Sequence, residues 1–349
     1  MRAASGWEDG GAEFGGQVRA LAAAMIGYGL DPSAPVAVLG DAGIDALKAE
    51  LAVLVAGGCL VSTDPALGET AIAHALAASE IVQAVACDER QLAYLLALRP
   101  ELPSLDLILL MKAKPSERKP AALLASSAIA SGTARLENDP ETLRAALAAA
   151  KPTDRAVLYW RVAGASEALS RAGLATLAER VAKAVQPARG RPVLVAVDAA
   201  SPVRLAATVA VTDRDGALLL ADAHERPDSG VRERSAHAAL LSSHALSRLA
   251  QAWKHDIDRR SWPARTIARW SLRQRPKPES WKRRLADLVT LRKLRAQLGT
   301  DIGHLDVVRQ KPARLDPATD TFFEIVGLPV RDLPCDVPLT PGPAIAPSS

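Results

Sequence analysis

Short apolar runs alternate with stretches of helical period along most of this chain, and that alternation predicts a sequence of strands and helices. Val18 to Ile26 carries Leu21, Met25 and Ile26 towards one helical face. Pro35 to Leu39 (PVAVL) is a strand entered through the turn signal DPSAP. Asp41 and Ala42 open a helix through IDALKAELAVLVAG, and Gly57 and Gly58 follow its last turn, where a glycine C-cap belongs. The pattern then predicts a strand at Cys59–Ser62, a helix at Glu69–Ser79, a strand at Ile81–Cys87, a helix at Arg90–Leu98 and a strand at Leu107–Met111. Lys112 to Pro140 breaks the rhythm, basic and proline-bearing first and then small and polar, and reads as a surface excursion before a helix at Glu141–Ala150. A strand at Val157–Trp160, a helix at Ala172–Val185, a strand at Val193–Asp198 and a DRDG turn feeding a strand at Ala217–Ala221 continue the series. Repeated strand–helix units of this length predict an α/β fold with mostly parallel sheets and helices on both faces.

Composition narrows the class. The 349 residues are 49% hydrophobic, chiefly Ala, Leu and Val, with 3% aromatics and a net charge of +4. That suits helices packed closely on a sheet by small side chains. Cys59, Cys87 and Cys335 are far apart, which speaks against a disulfide framework and for a reducing cytosol. MRAASGWEDGGAEFGG lacks the apolar core of a signal peptide, and no apolar run reaches the ~18–20 residues of a membrane span. The expectation is a cytoplasmic protein, peripheral to a membrane at most. Residues 1–17 read as a flexible N-terminus and 18–330 as one domain with subdomains 18–150 and 151–330. The proline-rich stretch 331–349 reads as a disordered tail.

Four stretches carry a resemblance to a known family. They are VRALAAAMIGYGLDPSAPVAVLGD, DALKAELAVLVAGGCLVSTDPALG, LADLVTLRKLRAQLG (Leu285 to Gly299) and FFEIVGLPV (Phe322 to Val330). Together they resemble the N-terminal part of AMP-forming long-chain acyl-CoA synthetases, of the adenylate-forming superfamily, over roughly Val18 to Val330. The resemblance implies the large N-terminal domain of those enzymes, in a truncated and degenerate form.

What the resemblance implies for catalysis is not matched by the residues. The family's phosphate loop, rich in Ser, Thr and Gly and carrying a lysine, falls at RVAGASEALS, Arg161 to Ser170. Only Gly164 and Ser166 contribute in kind. Leu169 or a neighbour stands at the lysine's place, and Glu167 would repel a phosphate. Gln310, Lys311 and Pro312 replace a paired-glycine loop at the substrate site. RDLPCDVPLTPGP replaces the tyrosine, glycine and threonine–glutamate motif that holds adenine and magnesium. The ribose aspartate, hinge and catalytic lysine of the family would lie further on. Adenylation needs the triphosphate neutralised, and losing one preorganised donor typically costs ~10²–10³ in rate. The expectation is a non-catalytic relative with no catalytic residues and no cofactor, acting by binding or through a protein partner or second copy. The alternative is an AMP-forming fatty acid–CoA ligase with a diverged loop, which would take ATP, Mg²⁺ and CoA.

Among other candidates, His255, Asp256 and Asp258 lack metal-ligand spacing, and Asp213, Asp215 and Gly216 read as a plain turn, so no metal site is expected. Cys59, in an apolar strand, reads as inert core. From Trp253 to Arg314 the chain holds 17 basic and six acidic residues with four of its six tryptophans. Basic residues with interleaved aromatics suit a solvated helical face, an anionic membrane surface or a nucleic-acid backbone. The membrane reading uses Trp253, Trp262, Trp270, Trp281, Arg283 and Arg284, and the lipid-related resemblance favours it over nucleic acid.

Overall fold

The structure is a computed structural model that describes residues 10–40, 43–63, 67–112, 122–162, 165–197, 201–214, 216–221, 236–273, 281–298, 302, 305–308, 316–333 and 339–343. In chain order the elements begin with α1 (Gly10–Gly27), β1 (Pro35–Leu39), α2 (Ile44–Val55), β2 (Cys59–Thr63), α3 (Glu69–Ala78), β3 (Gln83–Ala86), α4 (Glu89–Leu98) and β4 (Leu107–Leu110). There follow β5 (Leu123–Leu124), α5 (Ala125–Asn138), α6 (Thr142–Ala149), β6 (Arg155–Val162), β7 (Ala165–Ser170) and α7 (Arg171–Val185). Next come β8 (Pro192–Ala196), α8 (Pro202–Thr212), β9 (Ala217–Leu220), β10 (Ala238–Ser242), α9 (Ser243–Asp258) and α10 (Trp262–Leu272). Then α11 (Trp281–Ala286) runs through a π-helical turn, Asp287–Leu291, into α12 (Arg292–Arg295). The series closes with β11 (Leu305–Val308), α13 (Pro317–Val326), β12 (Val330–Leu333) and β13 (Thr340–Pro341). Two compact units result, Met1–Ala175 with Val337–Ser349, and Thr176–Asp336, so the division falls within α7 rather than near residue 150.

The first unit holds a sheet in the order β13-β7-β6-β2-β1-β3-β4-β5. Its strands run parallel except at one edge, where β7 is antiparallel to β6 and β13 antiparallel to β7. The chain passes from β1 to β2 on one side and then from β2 to β3 on the other, and right-handed crossovers therefore place α2 and α3 on opposite faces. The helix ends are set locally. Asp88 caps α4 by accepting the Arg90 and Gln91 N–H groups while the Gln91 side chain accepts from the Asp88 N–H, a reciprocal capping box. Gly57 takes a φ of +84° just past α2, the left-handed turn that only glycine adopts freely. Arg171 donates to the carbonyls of Leu54 and Gly58, placing a cation at the end of α2. Its half-buried guanidinium has a lowered pKa because burial disfavours the charged form.

Two parts of this unit differ from the sequence reading. Helix α1 begins at Gly10, inside the stretch expected to be flexible, with a Gln17 side chain donating to Glu13 one turn before it. The surface excursion contains α5, a full helix. Its Ser, Gly and Thr residues are poor helix formers, but the small side chains let it lie against α1. A Cβ on Gly132 would fall 1.7 Å from the Ala20 carbonyl oxygen, so the two backbones touch where no methyl group fits.

The second unit holds an all-parallel sheet in the order β12-β11-β10-β8-β9. Its core joins Leu194, Leu241, Leu246, Leu249 and Leu294 to Trp253, Phe322 and Phe323. Gly327 closes α13 in the left-handed conformation and leads to β12 at Val330, as FFEIVGLPV predicts. The tail expected to be disordered is partly ordered: Val330–Leu333 is strand, and Thr340–Pro341 pairs with β7 of the first unit. Among the described residues no helix is long and apolar enough to cross a membrane.

Candidate functional site

The stretch read as a phosphate loop is mostly strand. Burial of Ala156 through Trp160 fixes β6 in the middle of the sheet. Trp160 ends that run with its indole N–H donating to the Ser79 hydroxyl at 2.9 Å, and that hydroxyl in turn donates to the Ala75 carbonyl. The chain then reverses. Trp160 pairs with Ser166 and Val162 with Ala165, so two residues, 163 and 164, connect the strands. A bulge at Arg161 accommodates the change of register. Gly164 lies outside the described residues, as does the side chain of Arg161.

Ser166 is described, and it is occupied. Its side chain is buried and its hydroxyl donates to the Pro343 carbonyl at 2.6 Å. The Gly342 N–H donates to the Ser166 carbonyl at 3.0 Å, and the Thr340 hydroxyl donates to the Ala168 carbonyl. The approach is close, since a Cβ on Gly342 would meet the Ser166 Oγ at 2.3 Å and a Leu158 methyl at 2.6 Å. Leu169, at or beside the lysine's place, is fully buried, and Glu167 is exposed opposite Pro341. Thr340–Pro341, from the segment that stands in place of the family's adenine and magnesium motif, thus lies along β7.

The cations that bracket the hairpin in sequence sit at its far end. Arg155 pairs across from Ser170, roughly 20 Å along an eight-residue strand from the reversal, and Arg171 is committed to α2. Asp154 has a lowered pKa because the Lys151 backbone N–H donates to its carboxylate at 2.8 Å. Cys59 is buried in β2, and desolvation pushes its thiol up to about 11, against the lowering pull of Arg155 and Arg171, so it stays protonated at neutral pH. Among the described residues no group of three or more His, Cys, Asp or Glu side chains is placed to hold a metal ion.

The basic tryptophan segment is divided between core and surface. Trp253 is fully buried, with Phe323 and Phe322 ring centroids at 5.8 and 6.4 Å, so it belongs to the core and is removed from the candidate surface. Trp270 is half-buried on α10. Trp262 and Trp281 are 71% and 67% exposed, and Arg284 is exposed beside Trp281. The side chain of Arg283 lies outside the described residues. The tryptophan spacing alone could not separate these cases, because the residues that bury Trp253 lie some seventy positions later in the chain.

With this geometry in view, the chain can be compared with known proteins. Residues 11–160 match the AMP-binding enzyme family. No curated protein sequence matches the chain. Solved structures match over nearly all of it. The adenylation domain of the carboxylate reductase from Mycobacterium chelonae is 15% identical at a TM-score of 0.64, covering 92% of this chain and 50% of that one. The amide bond synthetase McbA from Marinactinospora thermotolerans is 16% identical at 0.61, covering 92% and 53%. ATP-bound MatB from Rhodopseudomonas palustris is 14% identical at 0.59, covering 95% and 56%. The chain therefore has the fold of the N-terminal domain of adenylate-forming enzymes, and its residues 11–160 are similar to the AMP-binding enzyme family. It spans about half the length of these solved relatives.

Proposed function

We propose that the chain is a non-catalytic relative of the long-chain acyl-adenylating ligases, acting by binding rather than by turnover. One observation carries the reading: the place of the phosphate loop is a hairpin closed by two residues, and its free edge is taken by the chain's own Thr340–Pro343. A triphosphate needs several preorganised N–H donors and cations converging on it. Here the hydroxyl of Ser166 serves Pro343, and Leu169 is core. The long-chain assignment rests on the resemblance of Leu285 to Gly299.

Incubating purified protein with ATP, Mg²⁺, CoA and fatty acids of graded length tests this. The expected result is no acid-dependent AMP or acyl-CoA above a heat-treated control. Acid-dependent AMP formation would overturn the proposal and establish a ligase with a diverged loop. Turnover only after co-expression with a second polypeptide would assign the missing donors to that partner.

A further inference from the structure

Among the described residues, seven large hydrophobic side chains are exposed, and five of them lie between Trp262 and Leu288. Isolated exposed apolar residues are ordinary, but these are not isolated. Trp281, Leu285 and Leu288 stand at i, i+4 and i+7 on α11 and the π turn, with exposures of 67%, 43% and 64%. That spacing is one stripe of a helix. The same helix also buries Ala286, Leu291 and Leu294 in the second unit. It is therefore apolar on two sides, one docked to the protein and one facing out. α10 packs against this helix, with the Ser271 hydroxyl donating to Thr290 at 3.3 Å, and adds exposed Trp262 and Ile267.

The stripe belongs to a basic stretch of the sequence. Arg259 to Leu298 holds thirteen basic residues and two acidic ones, Glu279 and Asp287. Asp287 is paired with Arg295 at 2.6 Å, and Arg269 pairs with Asp258 at 2.8 Å. Arg284 and Arg292, both exposed, line an open hollow of about 310 Å³ with Leu288 and Asp287. Lys282 lies 5.9 Å from the Trp281 ring centroid.

We propose that α10, α11 and the π turn form a docking surface for an anionic lipid bilayer. Trp281, Leu285, Leu288, Trp262 and Ile267 enter the headgroup–acyl boundary, while Arg284 and Arg292 meet lipid phosphates. The combination of outward aliphatic and indole side chains with flanking cations matches the physics of interfacial helices. A second copy fits poorly, because a two-fold contact would set this positive patch against itself. Nucleic acid would use the cations and stack on indoles, but leaves Leu285, Leu288 and Ile267 without a role. The proposal is independent of the reading of the β6–β7 hairpin.

Sedimentation of the full 349-residue chain with vesicles tests it. The chain should bind phosphatidylcholine–phosphatidylglycerol vesicles and bind phosphatidylcholine vesicles at least about tenfold more weakly. Added salt should weaken binding, since exposed charges are screened over about 8 Å at physiological ionic strength. Replacing Arg284→Gln and Arg292→Gln together should weaken binding to acidic vesicles about thirtyfold. Replacing Trp281→Ala and Leu288→Ala together should sharply reduce the part that survives high salt. These side chains are exposed, so circular dichroism melts should match the parent and exclude misfolding. Binding by the Trp281→Ala, Leu288→Ala protein equal to the parent would overturn the proposal, leaving a plain polyanion site. So would equal binding to both vesicle types, no binding to either, or tighter binding to oligonucleotides than to acidic vesicles.

Discussion

The β6–β7 corner of the first unit and the α10–α12 helices of the second both read, in sequence, as places where this chain meets another molecule. At the corner the chain has met itself: Thr340–Pro343 lies along β7, and the hydroxyl of Ser166 has found a carbonyl. On the helices the reverse holds, with side chains as large as tryptophan left facing outward on a helix whose other side is core. The contrast teaches that residue type marks a potential for contact, and that distant parts of the chain decide whether it is spent internally. Trp253 and Trp281, in the same basic segment, fall on opposite sides of that decision.

The largest expected effect follows from those two tryptophans. Trp253→Ala should destabilise the protein by about 3–5 kcal/mol, because it empties a site packed against Phe322 and Phe323. Trp281→Ala should change stability by no more than ~0.5 kcal/mol. Denaturant midpoints measure both, and equal costs would erase the distinction between core and open surface. Next in size is the closed corner. Gly342→Val drives a branched side chain against Ser166 and Leu158 and should cost about 1–3 kcal/mol. Hydrogen exchange at the Gly342 amide should accelerate as its bond to the Ser166 carbonyl is lost. An unchanged melt and unchanged exchange would mean that the tail does not seal the edge.

The smallest effect belongs to a pair in the first unit between an exposed lysine and a half-buried aspartate. Lys112 lies 2.6 Å from Asp45, and that hydrogen bond raises the lysine pKa above its ordinary 10.5. A raised pKa means that the folded state holds the proton more tightly. The stabilisation is therefore complete below the unfolded value and fades as pH rises through the folded one. Lys112→Met should cost no more than about 1 kcal/mol at pH 7, with the difference from the parent shrinking in strong alkali. A difference that grows with pH would contradict the pairing.

How much could be read beforehand depended on the range of the forces involved. β1 was legible at Pro35–Leu39 because a buried parallel strand is a continuous apolar run bounded by turn residues. The glycine after α2 was legible because left-handed backbone selects glycine. α5 was not, since its Ser, Gly and Thr residues score as loop and are helical through contact with α1, more than a hundred residues away. The small residues of Ala165–Ser170 likewise read as a loop, and only the strands on either side, one of them 170 residues further on, make them a strand. The stripe Trp281, Leu285, Leu288 is visible as a helical period, but periodicity does not say whether a stripe faces in or out.

The connection between β6 and β7 sets a constraint of a different kind. Val162 and Ala165 are partners, so the chain has two residues in which to turn. Exchanging side chains there or nearby alters charge, size or backbone preference and leaves the count of peptide units unchanged. Wrapping several N–H groups around a polyphosphate requires more backbone than two residues carry. A design that sought such a cradle at this corner would have to lengthen the connection, by an insertion or by unpairing the ends of β6 and β7, and also move the strand that now lies against β7.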